Sequence, residues 1–167
     1  MPHIQGFPPI CHADAHTLIL GSMPSRESLA RQKYYAHPRN SFWPILTRLF
    51  GISTTDYGEL TRQAAERGVA IWDVLQACVR HGSLDKDIDD RSIVTNDFST
   101  FFEQHPGITR VFFNGAKAES VYMKHVLPGL AVGQAEITLL RLPSTSPANA
   151  AMTVEAKLEK WRVIVAA

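Results

Sequence analysis

Two segments that lie far apart in the chain combine small residues, prolines and hydroxyl groups, and each directly follows a short apolar run. The first, Gly-Ser-Met-Pro-Ser over 21–25, follows the run 17–20, and the second, Leu-Pro-Ser-Thr-Ser-Pro-Ala-Asn over 142–149, follows the run 137–140. Such residues at the carboxyl end of a buried strand build rigid loops whose backbone can approach a ligand closely. Between them, residues 34–43 (Tyr-Tyr-Ala-His-Pro-Arg-Asn-Ser-Phe-Trp) concentrate aromatic and hydrogen-bonding side chains. Together the three segments predict a binding site.

The elements that must position these segments alternate between strands and helices. Strands are predicted over 17–21, 69–74, 110–114 and 137–142, which lack polar alternation and are therefore expected to be covered on both faces. Helices are predicted over 42–50, 57–67, 97–105, 116–126 and 154–165. The alternation predicts an α/β fold, a three-layer α/β/α sandwich with a central four-stranded parallel sheet. The strand ends then bring both loops, Asp73 and Asn114 to one edge, where ligands bind in open α/β sheets.

Composition limits the class of protein. A length of 167 residues suits one domain, expected over 1–167, and 17 basic against 16 acidic residues give a net charge of +1. Any nucleic acid must therefore be held by a local basic patch. No apolar run approaches the roughly 20 residues that a membrane span needs, and the first residues lack the pattern of a signal peptide. Two cysteines favour a reducing compartment, so a cytoplasmic protein is expected. The sequence carries no signal for its oligomeric state, and a monomer is the default expectation.

Two other patterns carry little chemistry. Cys11, His12 and His16, with His3, match no standard zinc spacing, and the N-terminal segment is expected to be mobile. Neither a metal nor a cofactor is predicted. The 21–25 segment is not a Gly-x-Ser-x-Gly nucleophile elbow, because no serine lies at its centre.

The ordered motifs resemble those of the uracil-DNA glycosylase superfamily. Residues 21–25 and 35–43 are similar to the Gly-Ile-Asn-Pro-Gly and Phe-Ala-His-Pro-Ala-Asn-Arg-Phe-Trp segments of its mismatch-specific branch. Residues 142–149 resemble the second motif, the loop that presses into the DNA minor groove, and residues 69–87 resemble the base-recognition strand and loop. The match favours the hypoxanthine-DNA glycosylase branch. The resemblance implies a DNA-repair enzyme that hydrolyses the N-glycosidic bond of a deaminated base, with such DNA as its partner.

One departure from the family pattern bears on the substrate. Met23 stands where the mismatch and classical branches carry Asn or Asp, and a thioether cannot position water. The histidine of the classical second motif is also absent. The resemblance to the hypoxanthine branch implies that Asn40 supplies the catalytic amide instead. The alternatives are a mismatch-type uracil or thymine glycosylase, and a DNA- or nucleotide-binding module that has lost catalysis.

Each proposed role has a structural alternative. Asn40 is expected to orient the attacking water, or to cap the helix that follows, or both. The resemblance implies that Tyr35 stacks on the extruded base; otherwise it is a core tyrosine. Asp73 either accepts a hydrogen bond from N1–H of hypoxanthine or caps a turn. The predicted base-binding residues are Ser22, Met23, Tyr35, Asp73 and Asn114, of which Met23 is expected as a pocket wall and Asn114 also as a strand-to-helix cap.

The remaining predicted residues would contact the DNA backbone. Basic side chains near the first motif could neutralise phosphates; the alternative is that they are solvated surface. Polar groups of the second loop could position the duplex; the alternative is that they only build a tight loop. The predicted DNA-binding residues are Ser25, Lys33, Arg39, Ser144, Thr145, Ser146, Pro147, Ala148 and Asn149.

Overall fold

The computed structural model describes residues 3–166. Met1, Pro2 and Ala167, part of the single domain expected over 1–167, lie outside the described residues. The strands are β1 (His3–Gln5), β2 (Thr17–Gly21), β3 (Val69–Asp73), β4 (Leu75–Val79), β5 (Val94–Thr95), β6 (Arg110–Asn114) and β7 (Thr138–Leu142). The α-helices are α1 (Arg26–Arg31), α2 (Phe42–Phe50), α3 (Tyr57–Glu66), α4 (Phe98–Gln104), α5 (Ala116–Val121), α6 (Val132–Ala135) and α7 (Val154–Trp161).

The central sheet has four parallel strands in the order β3-β2-β6-β7. Side chains alternate between its faces, so Ile19 packs with α2, α3 and α7, whereas Leu18 and Leu20 pack with α4 and α5. The predicted three-layer α/β/α fold is thus confirmed. The predicted strands are also confirmed, except that β3 ends one residue earlier and β7 begins one residue later.

Strand β7 differs from the expectation of strands covered on both faces. It lies at the edge of the sheet, and Leu140 in its centre is 42% exposed. Two predicted helices also change geometry near their ends: residues 122–126 form a π-helical turn after α5, and residues 162–165 form a 3₁₀ turn after α7. None of the helices within residues 3–166 has both the length and the apolar character needed to cross a membrane.

A second, antiparallel sheet of β1, β4 and β5 was not predicted. Strand β1 pairs with β4, and Ile10 exchanges backbone hydrogen bonds with Ile71 at the edge of β3. The expectation of a mobile N-terminal segment is therefore wrong for these residues, which cover the otherwise open edge of the main sheet. Cys11 contacts His105, with its Sγ 3.3 Å from Nε2.

Trp161 of α7 joins the core to the second sequence motif. Its side chain is fully buried, it meets the ring of Phe42 edge to face at 5.9 Å, and its Nε1 donates to the Pro143 carbonyl over 2.9 Å. Trp161 therefore fixes the loop that follows β7 against α2 and α7.

We predict that Trp161→Ala lowers the free energy of unfolding by about 3–5 kcal/mol, because it leaves a cavity and removes the donor to Pro143. Urea denaturation followed by circular dichroism measures the change. Val165→Ala, at an exposed apolar position, is the control and should change stability little. A loss below about 1 kcal/mol for Trp161→Ala would contradict this role.

Candidate active site

A cleft of about 540 Å³ opens beyond the carboxyl ends of the parallel strands. Its lining comes from the loops after β2 and β7, the segment leading into α2, the loop around residues 83–86, the last residues of β3 and β6, and one residue of α1. It is lined by Gly21, Ser22, Met23, Pro24, Ser25, Ser28, Tyr34, Tyr35, Asn40, Asp73, Ser83, Leu84, Asp85, Lys86, Asn114, Ser144, Thr145, Ser146, Ala148 and Asn149. The fold thus brings both sequence motifs together, as the topology predicts.

The floor of the cleft holds two buried polar groups that lack partners. Gly21 lies opposite Asp73 in the parallel register, and a Cβ on Gly21 would lie 2.5 Å from Asp73 Oδ1 and 3.0 Å from the Tyr35 hydroxyl oxygen. Glycine is required here because any side chain would displace both groups. Asp73 is 3% exposed, and neither its Oδ2 nor the Tyr35 hydroxyl has a hydrogen-bond partner within residues 3–166. Unsatisfied buried groups are rare, so this pair indicates a ligand that completes them.

Burial raises the pKa of the Asp73 carboxyl to about 7. The negative charge of Asp85 adds to this increase, and the positive charge of Arg80 opposes it. Burial and Asp73 also raise the pKa of Tyr35, which keeps its hydroxyl protonated. The floor therefore presents a donor beside a carboxyl group that titrates near neutral pH.

Asn40 stands in the wall, two positions before the first residue of α2. Its Oδ1 accepts a hydrogen bond from the Phe42 backbone N–H over 2.9 Å, whereas the Ser41 side chain makes no capping bond. The capping alternative is therefore observed. An amide oxygen has two lone pairs, so it can accept a second hydrogen bond on the cleft side.

Tyr35 has the left-handed backbone conformation (φ 56°) that turns its ring toward the cleft. One face of the ring stacks on Phe42, with 3.9 Å between ring centroids and 22° between planes. Its neighbour Tyr34 is buried and donates to the Pro8 carbonyl over 2.9 Å. Tyr35 is thus tied to the core by Phe42 and also lines the cleft.

The loop after β7 is held by Asn114. The Asn114 Nδ2 donates to Thr145 Oγ1 over 2.9 Å, and the Thr145 N–H donates to Asn114 Oδ1 over the same distance. The Thr145 carbonyl accepts the Ser41 N–H over 3.1 Å. Gly115 (φ 97°) permits this approach, since a Cβ there would lie 3.1 Å from that of Ser144. Thr145 is 1% exposed, so it faces inward and its side chain fixes the loop.

The loop around residues 83–86 lies within the segment 69–87 that resembles the base-recognition strand and loop, and it contributes four lining residues that were not among the predicted site residues. Asp85 accepts a hydrogen bond from the Ser22 hydroxyl, which ties this loop to the first motif. Besides that resemblance, the sequence signal was the Gly82-Ser83 turn followed by acidic residues, a pattern common to many loops.

Not every predicted residue reaches the cleft. Lys33 and Arg39 are exposed outside the lining, and the Lys33 ammonium lies 5.5 Å from the centroid of the Tyr57 ring. Pro147 also lies outside the lining, whereas Met23 forms a buried apolar wall. Ser25 lines the cleft and caps α1 by accepting the Ser28 N–H over 3.1 Å. Among the described residues, no group of three His, Cys, Asp or Glu side chains is placed to hold a metal ion.

Comparison with known proteins agrees with this architecture. Two proteins named hypoxanthine DNA glycosylase, from Methanosarcina acetivorans and Methanosarcina barkeri, are 38% and 35% identical to this chain over 116 residues, which make up 68% of this chain and 72% of each relative. A solution NMR structure from M. acetivorans, described as a uracil DNA glycosylase, has a TM-score of 0.78 and 31% identity, and the match covers 97% of this chain and 96% of that one. The model of the uracil DNA glycosylase superfamily matches residues 8–165. Since that match spans nearly the whole chain, the protein belongs to the uracil DNA glycosylase superfamily, as its motifs predicted.

Proposed function

We propose that this protein is a monofunctional DNA glycosylase that removes hypoxanthine from DNA and leaves an abasic site. The observation that carries the proposal is the pair of unpartnered groups on the cleft floor. Hypoxanthine presents a carbonyl beside an N1–H, which match the Tyr35 hydroxyl as donor and the Asp73 carboxylate as acceptor. Adenine presents an amino group beside an unprotonated N1, so it offers a donor and an acceptor in the reverse order. The names of the two Methanosarcina relatives agree with this substrate.

The proposed chemistry needs one water and a leaving base. The enzyme extrudes the nucleotide from the stack, at a cost of a few kcal/mol. The bond between C1′ and the base breaks with its electron pair leaving on the base, and water adds to the resulting oxocarbenium-like sugar. The proton that the water loses on addition balances the proton that the departing base takes up. Asn40 Oδ1 orients that water, while backbone N–H groups near residues 22–25 donate to the base carbonyl. Hypoxanthine accepts a proton on its imidazole ring, so it leaves readily although position 23 carries a methionine and not a carboxylate.

Backbone contacts are proposed for both motif loops. The Ser144 and Ser146 hydroxyl oxygens accept the N–H groups of Ser146 and Ala148, over 3.2 and 3.1 Å. Each hydroxyl proton thus stays available for a phosphate oxygen, and Asn149 lies beside them. Ser25, Lys33 and Arg39 would contact phosphates on the other side, and Pro147 with Ala148 would press on the backbone. Thr145 supports this loop from within.

We further propose that the enzyme acts as a monomer in the cytoplasm. Both sequence motifs lie in the same chain and line the same cleft, which supports a monomer. Cys11 and Cys78 are free thiols, which suits a reducing compartment.

A single-turnover assay on matched oligonucleotides with one deoxyinosine, uracil or xanthine tests the proposed function. We expect the fastest release at deoxyinosine, revealed as alkali-labile abasic sites. Release at uracil alone would assign the protein to the mismatch-type alternative. DNA binding without release from any lesion would favour the non-catalytic module.

We predict that Asn40→Ala slows single-turnover release of hypoxanthine by at least about 10²-fold, because the water loses its acceptor. Loss of the cap on α2 alone should cost only about 1 kcal/mol of stability. Asp56→Ala is the matched control, since Asp56 caps α3 away from the cleft by accepting the Glu59 N–H. Equal rates for the Asn40 variant and the wild type would refute the mechanism.

We predict that release of hypoxanthine becomes faster as pH rises through about 7, because the ionised Asp73 accepts a stronger hydrogen bond from N1–H than the protonated carboxyl does. Rates measured from pH 5.5 to 8.5 give the midpoint. Asp73→Asn should remove this dependence. Asp85→Asn should move the midpoint to lower pH, because it removes the charge that adds to the raised pKa of Asp73.

Ionisation of Asp73 should also lower the free energy of unfolding, whereas it raises the rate of base release. Since folding raises the pKa of Asp73, its contribution to stability is greatest near its ordinary pKa and falls as pH rises toward about 7. Asp73→Asn should therefore be more stable than the wild type at pH 8 and lack that decline in urea denaturation. If neither Asp73→Asn nor Asp85→Asn changes the midpoint of the pH–rate profile, the assignment of that midpoint to Asp73 is wrong.

A further inference from the structure

Lys157 of α7 carries a positive charge into the interior of the protein. The residue is only 4% exposed, whereas lysine is almost never fully buried unless it is paired with a carboxylate. None of the ion pairs within residues 3–166 includes Lys157. Burial lowers the pKa of its ammonium group, which expresses the cost of holding a charge there. The charge of Lys157 is therefore buried without a counter-charge from the protein.

The ammonium group of Lys157 lies beneath the loop after β7. Its Nζ donates to the Ser146 carbonyl over 3.3 Å. The same carbonyl also accepts the Asn149 N–H over 3.0 Å. Since Ser146 would keep a hydrogen-bond partner without Lys157, the need to satisfy this carbonyl does not account for a buried charge.

The cleft side of the same loop is where a negative charge would arrive. In the proposed function the Ser144 and Ser146 hydroxyls donate to a phosphate, but neutral hydroxyls position a phosphate without balancing its charge. The chain as a whole offers a net charge of only +1, so the phosphate requires a local cation. Arg141, next to the loop in sequence, already forms an ion pair with Glu119. Lys157, by contrast, is a cation without an ionic partner that bonds to the loop itself.

We propose that Lys157 supplies the positive charge that balances a DNA phosphate bound by the loop after β7. This inference rests on the proposed glycosylase function, and it concerns the affinity for DNA rather than the breaking of the glycosidic bond. Lys157 acts from beneath the loop, across Ser146, and touches neither the base nor the sugar. Its unpaired charge lowers the stability of the free protein, and the arriving phosphate offsets that cost.

The first test measures how affinity for a deoxyinosine duplex depends on salt, in an Asn40→Ala background that keeps the base attached. Each phosphate that a protein neutralises contributes about 0.9 to the slope of log K against log salt concentration. We expect Lys157→Met to weaken binding about 10-fold and to reduce the magnitude of that slope by about 0.9. Lys157→Gln, which keeps a donor for the Ser146 carbonyl but carries no charge, should give the same result. Restoration of the full slope by Lys157→Gln would show that only the hydrogen bond matters and would overturn the proposal.

The matched control is Lys160→Met, because Lys160 is an exposed lysine on the same helix. It should leave the slope unchanged. An equal decrease for Lys160→Met would mean that only the net charge of the protein matters, which contradicts a specific role for Lys157.

A kinetic test separates binding from chemistry in protein that retains Asn40. Lys157→Met should raise the protein concentration that gives half the maximal single-turnover rate, and the maximal rate should stay within about 2-fold of the wild type. A lower maximal rate with unchanged half-saturation would place Lys157 in the chemical step and refute the proposal.

Stability provides a readout on which a purely structural role predicts the opposite result. Because Lys157→Met removes a buried charge that has no partner, the variant should be at least as stable as the wild type in urea denaturation. A loss of stability with an unchanged salt slope would reduce Lys157 to a support for the loop. If the wild-type protein releases no base from deoxyinosine DNA, the proposed function fails. An unchanged slope in a protein that does release the base counts against Lys157 alone.

Discussion

The reciprocal hydrogen bonds between Asn114 and Thr145 are the interaction on which the site depends. They join the end of β6 to the loop after β7, and the Thr145 carbonyl then binds Ser41 at the start of α2. Asn40 immediately precedes that contact, so its position relative to the second motif is set by this chain of bonds. A pair of buried amide and hydroxyl groups that satisfy each other is rigid, because breaking either bond leaves a polar group unpaired in the interior.

The cleft floor shows the opposite arrangement. Asp73 Oδ2 and the Tyr35 hydroxyl are buried without hydrogen-bond partners, although the rest of the site is extensively hydrogen-bonded. A buried carboxyl group without a partner lowers stability, and the raised pKa of Asp73 expresses that cost. Proteins retain such unfavourable groups chiefly at functional sites, where a ligand supplies the missing bonds. In the proposed function that ligand is the lactam edge of hypoxanthine, and the energy released on binding favours the extruded base.

The second sheet positions one wall of the cleft, the loop around residues 83–86. Because β4 continues directly from β3, the chain leaves the main sheet at Asp73 and returns to the cleft through the loop that carries Leu84 and Asp85. Pairing of β1 with β4 holds the segment between β3 and this loop in place, and Ile10 pairs with Ile71 at the edge of β3. The N-terminal segment thus has a structural role that its weak pattern did not indicate. The cleft therefore combines a floor from the parallel sheet with a rim from the antiparallel one.

The sequence by itself determined the four parallel strands, the helix over Phe42–Phe50 and the convergence of the two motif loops. Apolar runs and helical spacing are local signals, and parallel strand order places strand ends on one edge. The sequence also indicated the capping role of Asn40, since capping depends on residues two positions apart. Only the tertiary structure decided that Asn114 binds Thr145, that Ser22 binds Asp85 and that Asp73 is left without a partner. These contacts join residues separated by 31 and 63 positions, and such hydrogen bonds depend on packing that no local pattern encodes.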